Sequence, residues 1–373
     1  MWDHEGRSYL DFISGISVSI VGHRHPRVHA AVLEQLDKYW HTMVYGEHVL
    51  QPQVHLAKLL HEVLGPPFEQ VYLVNSGAEA IEGAMKLVKK VSGRSRLVSF
   101  AKAYHGGTHG ALSLLGSEHY KAPFRPLLPE TYMLAYNAVE DLDFLDERVA
   151  AVFVEAVQAE AGAVPADKEW AQALASRCKS LGIALVVDEI QTGLGRCGDW
   201  FGFQHLGWEP EVVVLAKGLG GGLPIGAFAA SRAWMQHLAV DPPLGHLTTF
   251  GGNPVCAAAA VGVLEVLRDE GLIAKAAACE RIVRDRISTW DHGRHGAAPL
   301  SGRGLLLGLE TGSAARNQRL IQRCWKAGLL VDWFLFDDAK MRIAPPLNIT
   351  EDDLHQALDL LEREWQEVPG LAT

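Results

Sequence analysis

The stretch Val212-Val213-Val214-Leu215-Ala216-Lys217-Gly218-Leu219-Gly220-Gly221-Gly222 decides the reading of this chain. The apolar run Val212–Ala216 is short and continuous, as suits a strand covered on both faces. Lys217 follows directly upon it. An ammonium at the mouth of a buried strand is poorly placed as a mere surface charge. The glycines behind it let a bulky group lie against the backbone. Desolvation lowers a lysine pKa and makes the amine a usable nucleophile. Taken alone, the stretch also fits an ordinary loop lysine beside a flexible glycine turn.

Working outward, similar runs occur at Val71–Val74, Leu97–Phe100, Ala151–Val154 and Ala184–Val187. Helical patterns lie between them, for example from Trp170 to Leu181. The alternation predicts an α/β domain with a mainly parallel sheet. Ligands of such sheets bind outside the carboxyl ends of the strands, and the unusual polar residues sit there. Residues 1–40 read as a short strand pair and then a helix starting near Pro26. Beyond about residue 265, "GRGLLLGLE" and "KMRIA" read as strands, and Glu351 to Val368 as an amphipathic helix. The ends therefore form a smaller α/β domain, residues 1–40 with 265–373, beside a large domain of residues 41–264. Ala257–Ala260 reads as part of a close-packed helix.

Asn75-Ser76-Gly77-Ala78-Glu79 follows the strand Val71–Val74 and opens a helix. Free N–H groups at a helix start hold phosphate, and Gly77 permits close approach of an anion. A plain capping box, Ser76 with Glu79, fits the same residues. Asp188-Glu189 ends the strand Ala184–Val187. A carboxylate there needs a cation or donors. A helix cap or a metal site are the alternatives, but no Gly-Lys-Ser/Thr phosphate loop accompanies it.

These signals gain force together. Asp188 and Lys217 lie about one βαβ unit apart, at strand ends facing one crevice. A pyridoxal-phosphate (PLP) site needs an amine for an imine, an anion for the pyridinium nitrogen, and a phosphate cradle. Asp188 supplies the anion, favouring the protonated ring that serves as electron sink.

With these residues in place, the chain resembles the class III (omega) aminotransferases of PLP fold type I, nearest to the acetylornithine, ornithine and 4-aminobutyrate enzymes. The motifs run in family order: "YLDFISGISVSIVGHRHP", "VNSGAEA", "YHGGTHG", "VEAVQAEAG", "VVDEIQTGLGR", "LAKGLGGGLPIGA", "TTFGGNP" and "RIAPPL". The resemblance implies that Lys217 carries PLP as a Schiff base and shuttles the proton. Gly77 and Ala78 would bind its phosphate, with Ser76 beside them. Tyr104 would stack on the ring, followed by His105; Asp188 would meet the ring nitrogen and Gln191 the ring hydroxyl. Glu155 and Glu160 fall on two family glutamates. Glu160 would gate Arg342, whose fork grips the carboxylate of glutamate or 2-oxoglutarate. Thr249 would reach the phosphate of the other subunit, which implies a homodimer with composite active sites. Ile16 and Tyr45 would border the substrate.

The implied activity is a ping-pong transfer from a terminal amine, acetylornithine or ornithine first and 4-aminobutyrate next, to a 2-oxo acid. An aminomutase like the glutamate-1-semialdehyde isomerases is an alternative from another class, which "RIAPPL" disfavours. A PLP-binding regulator is a third, disfavoured by the intact chemical residues. Gly107 stands where acylornithine and ornithine enzymes carry an arginine, so one carboxylate grip is missing. Ornithine enzymes have a tyrosine near Ile16. The resemblance implies roughly twenty further residues at the start, so a truncated chain and a misassigned start are both open readings.

Composition narrows the classes. The 373 residues carry a formal net charge of −10, which disfavours nucleic acid as a partner. Lys86, Lys89, Lys90, Arg94 and Arg96 read as a solvated helix end. Five cysteines without zinc or redox spacing fit a reduced, cytoplasmic compartment. No run approaches a membrane span. His25 and His29 have metal-ligand spacing but no third ligand, so no metal is expected. Trp333 and Phe334 read as core aromatics or as a pocket rim.

Overall fold

A computed structural model describes residues 1–290 and 300–368. Its main sheet has seven strands, in the order Gln70–Val74, Gly226–Ala230, Val212–Leu215, Ala184–Asp188, Val149–Val154, Arg96–Phe100 and Thr131–Leu134. Gly226–Ala230 runs antiparallel to both neighbours, and the other pairings are parallel. This is a mixed, mainly parallel sheet, and its architecture is that of PLP fold type I. Each of the five expected strands is present, shifted by two residues at most. The strands Val149–Val154, Ala184–Asp188 and Val212–Leu215 are buried along their whole length. Continuous apolar runs of β-branched residues produce this, because helices cover both faces of the sheet.

The helix Lys168–Leu181 starts at Asp167, whose side chain accepts from the Glu169 and Trp170 amides, and ends at left-handed Gly182. Pro26–Lys38 is helical, with proline at its first position. It lies on the helix Pro254–Asp269 so closely that a Cβ on Gly262 would stand 3.1 Å from the Val28 Cα. Ala257, Ala259 and Ala260 are buried in that second helix. Small side chains are what let the two axes approach.

A second sheet holds Leu300–Arg303, Leu306–Glu310, Asp337–Ile343 and Asp332–Phe334, in that order. The helices Ala314–Ala327 and Glu351–Glu367 accompany it. The expected range 265–373 for a small domain includes residues 291–299 and 369–373, which lie outside the described residues. The N-terminal segment makes one antiparallel bridge, Trp2 with Ser8. It then pairs Leu10–Asp11 in parallel with Leu329–Leu330, tying the two ends of the chain together.

The basic cluster is not a plain solvated helix end. Lys86 donates to the Gly245 carbonyl, and Lys90 to those of Val240 and Asp241. Arg94 donates to the carbonyls of Val149, Leu181 and Gly182. Arg96 pairs with Glu130 and Asp146. Lys86 and Lys90 fasten the 240–245 loop to the helix Gly77–Ser92, and Arg94 and Arg96 tie loops to the sheet, which their proximity in sequence does not reveal.

Candidate active site

Five strands of the main sheet end at one edge, and each delivers a polar residue there. Gln70–Val74 leads into Ser76 and Gly77, Arg96–Phe100 into Tyr104 and His105, and Val149–Val154 into Glu155. Ala184–Asp188 ends on Asp188, and Val212–Leu215 leads into Lys217. These residues, with Ala78 and Gln191, line one pocket of about 400 Å³.

Lys217 sits at φ 45°, a left-handed backbone rare for a residue with a side chain. Such strain is kept where the surroundings over-determine it. The residue is half-buried, opening on the pocket. Among the described residues its ammonium has no ion-pair partner. Burial lowers its pKa to about 8, against the opposing charges of Glu160 and Asp188. The neutral amine, the nucleophilic form, is therefore about a tenth of the population at pH 7, far above that of an ordinary lysine.

Asp188 is buried. Its Oδ2 lies 2.8 Å from His105 Nδ1, and its Oδ1 accepts from the Ile190 amide at 3.0 Å. Burial alone would pull His105 down, but its hydrogen bond to Asp188 and the charges of Asp188 and Glu155 hold it above the usual value. Glu155 is pushed up to about 8, chiefly by burial. Its carboxyl accepts from the Tyr104 and Ala159 amides at 3.3 and 3.2 Å. Glu155 is therefore largely protonated near neutrality, and beside it Asp188 meets His105.

The helix Gly77–Ser92 opens on the pocket. The Ser76 hydroxyl caps the Glu79 amide at 3.1 Å, and Glu79 returns to the Asn75 amide at 2.8 Å. The expected capping box is half formed, since Glu79 meets the amide of Asn75 and not that of Ser76, and the amides of Gly77 and Ala78 stay free to face a ligand. A Cβ on Gly77 would stand 2.6 Å from Ile190 Cδ1. A side chain here would have to displace the tip of Ile190, so glycine lets the helix start lie close against it.

Behind Gln191 lies a buried charge cluster. Glu160 meets Arg342 through two nearly parallel contacts, Oε1 to Nη1 at 3.1 Å and Oε2 to Nη2 at 3.2 Å. Burial pushes Glu160 up, but the Arg342 charge and hydrogen bonds outweigh it and carry it to about 2. Arg342 also donates to Asp332 at 3.0 Å, and its guanidinium lies 4.5 Å from the Phe334 ring centre. Gln191 donates to Glu160 at 2.9 Å, so its amide is engaged with the pair while lining the pocket. Of the two candidate rim aromatics, Phe334 is buried under Arg342. Trp333 is exposed and offers its carbonyl to Arg342 at 3.1 Å.

Glu160 and Arg342 do not line the pocket and reach it only through Gln191, and three further expected residues are not brought to it within the chain. Ile16 and Tyr45 are exposed. Ile16 has φ 63°, and Val18, two residues on, lines the pocket instead. Thr249 is exposed, while its neighbour Thr248 accepts from Asn75 at 2.9 Å. His25 lies 3.2 Å from Glu270. Sequence reasoning missed Asp332. Its signal is the hairpin register, which sets Asp332 opposite Arg342.

The family model for class-III aminotransferases matches residues 1–364. This chain belongs to the class-III aminotransferases. The acetylornithine aminotransferase of Archaeoglobus fulgidus is 36% identical over 97% of this chain and 92% of its own length. That of Mycobacterium bovis is 41% identical over 94% of this chain and 86% of its own. The ornithine aminotransferase of Toxoplasma gondii, a solved structure with partial PLP occupancy at its active site, superposes with a TM-score of 0.92. It is 30% identical, with 98% of this chain and 88% of that chain covered.

The class-III aminotransferases are PLP enzymes, and the residues here fit that cofactor. The pocket offers an unpaired lysine, a buried carboxylate and a helix start stripped of its Cβ. The pKa of Lys217 makes a testable statement about this fit. Capture of PLP by the apo-protein should accelerate as pH rises through about 8, because only the neutral amine attacks, and level off above it. Stopped-flow absorbance across the pH range measures it. A midpoint near the ordinary lysine value of about 10.4 would contradict the burial argument.

Proposed function

We propose that this class-III aminotransferase moves an amino group from a terminal amine to 2-oxoglutarate in two half-reactions. Acetylornithine or ornithine is the first donor to test, and 4-aminobutyrate the second. The observation that carries the proposal is the buried Glu160–Arg342 pair beside the pocket.

Gly77 and Ala78 would hold the phosphate, Tyr104 would lie against the ring, and Asp188 would face its nitrogen. Bound PLP supplies an aldehyde that takes up the donor's nitrogen and a pyridinium that draws off electrons. Lys217 anchors it and, once displaced by the donor, moves a proton at its Nζ as general base and then general acid. Asp188, with its charge sustained by His105, keeps the ring nitrogen protonated. Glu155, largely protonated near neutrality, adds no second full charge beneath it.

Glu160 covers Arg342 while a donor whose reacting carbon bears no carboxylate is bound. When Glu160 swings away, the freed guanidinium grips the carboxylate of the 2-oxo acid with both arms. A 2-oxo acid is then obligatory, which separates this reading from an isomerase.

Arg342→Lys keeps the charge and removes the fork. The KM for 2-oxoglutarate should rise about tenfold or more, a loss of about 1.4 kcal/mol or more, with a smaller change in the amine half-reaction. Steady-state kinetics with each substrate varied checks this. An unchanged KM would remove Arg342 from acceptor binding.

The assembly we propose is a homodimer. Trp40, Met43, Tyr45 and Val49 are exposed, as are Leu244, Leu247 and Phe250. The two segments touch, with the His41 and Phe250 rings 5.0 Å apart. Thr249 lies in this patch, exposed, and would complete a partner's site. The five cysteines are all free thiols, which supports a cytoplasmic location. The two separate sheets support a division into a large domain of residues 41–264 and a small one from the two ends.

A further inference from the structure

A second chamber of about 230 Å³ shares Tyr104, Gly106 and Gly107 with the cofactor pocket. Leu112, Leu115, Tyr120, Phe124, Leu335 and His109 form the rest of its wall. Among the described residues, no lysine, arginine, aspartate or glutamate lines it. Leu112 and Leu115 are buried, and Phe124 stands at the open rim. We infer that this chamber is the subsite for the donor's far end, and that it takes an uncharged, apolar tail. The inference rests on the aminotransferase reading and reorders its donors: amines with an apolar far end come before acetylornithine, ornithine and 4-aminobutyrate, each of which would bring a carboxylate to this chamber.

The passage between the chambers runs past Gly107. No atom lies within 4 Å of where a Cβ on Gly107 would stand, so the doorway is open. Gly106 has φ 129°, and a Cβ there would come 2.7 Å from Ala78 Cβ, which presses this loop against the start of the helix Gly77–Ser92. Glu82 of that helix accepts from the Thr108 hydroxyl at 2.6 Å and from the Gly110 and Ala111 amides at 2.9 and 3.1 Å. The loop is thereby held in place before any donor arrives, and the chamber is preformed.

Charge decides what it accepts. A carboxylate or ammonium entering the chamber would lose hydration without a counter-charge. Arg342, the cation behind Gln191, is committed to Glu160 and Asp332, Arg125 is paired with Glu118, and the His109 ring in the wall lies 3.2 Å from the Pro126 carbonyl. Alkyl carbons leaving water for this wall gain about fourfold in binding per methylene.

The test uses the holoenzyme and follows the amine half-reaction by cofactor absorbance. Butylamine, pentylamine and hexylamine form one series, and 6-aminohexanoate is the charged match to hexylamine. The expected result is a kcat/KM that climbs about three- to fourfold per carbon, with hexylamine favoured over 6-aminohexanoate by at least about tenfold. Gly107→Arg, which has room for its side chain, should shrink that preference by at least about tenfold by lending the acid a partner. A flat series, or 6-aminohexanoate preferred by the unaltered enzyme, overturns the inference. So does the failure of every amine while the 2-oxoglutarate half-reaction of the pyridoxamine-phosphate enzyme proceeds. If that half-reaction fails as well, the aminotransferase reading falls together with the inference.

Discussion

Lys217→Ala should lower kcat by at least about 10⁴-fold while leaving the fold intact. Removing the proton shuttle alone costs about 10²–10⁴, and the variant also loses the amine that anchors the cofactor. Lys217 makes no ion pair among the described residues, so its truncation leaves no buried charge stranded. Alanine carries the same Cβ at φ 45°, so the substitution neither adds nor relieves backbone strain. The phosphate cradle at Gly77 and Ala78 is untouched, and PLP should still bind, reversibly and without a covalent link. Single-turnover kinetics with saturating amine, beside the circular dichroism spectrum, would check both halves. A tenfold loss or less would mean that another base moves the proton.

Asp188→Asn should be the next most damaging change, with kcat down by roughly 10²–10³. The substitution keeps the shape and the Ile190 contact but removes the charge opposite the ring nitrogen. Breaking a buried charge pair costs about 3–5 kcal/mol, and the electron sink is where that loss would be felt. His105 loses its carboxylate partner in the same step. With Asp188 and Glu155 holding it up, His105 lies above its usual value, and it should drop once Asp188 is neutral. The imidazole signals in NMR titrations of the two proteins would show this directly. A variant with near-normal kcat would show that ring protonation does not depend on Asp188.

Much of this arrangement is legible in the sequence, for definite reasons. The strands Val149–Val154, Ala184–Asp188 and Val212–Leu215 are buried on both faces, so they read as unbroken apolar runs. The residues that end them are polar and conspicuous by contrast, which is how Asp188 and Lys217 stand out. Gly226–Ala230 was not legible as a strand, because its small residues carry little strand preference. Thr131–Leu134 is a short edge strand with a broken pattern. The ladder of Asp332 to Arg342 depends on hairpin register, and the anchoring of Lys90 and Arg94 depends on loops distant in sequence. Neither leaves a local signal. Ile16, Tyr45 and Thr249 were read from the resemblance alone, and within one chain they are exposed. The side chamber is the opposite case. Gly107 was legible as a missing grip, but the space it opens exists only in three dimensions.

The central claim is that Lys217 carries the cofactor. Reducing the holoenzyme with borohydride, digesting it and weighing the peptides tests this most directly. The account predicts one added pyridoxyl-phosphate mass, on the peptide containing Lys217. Finding that mass on another lysine, or on none, would contradict it.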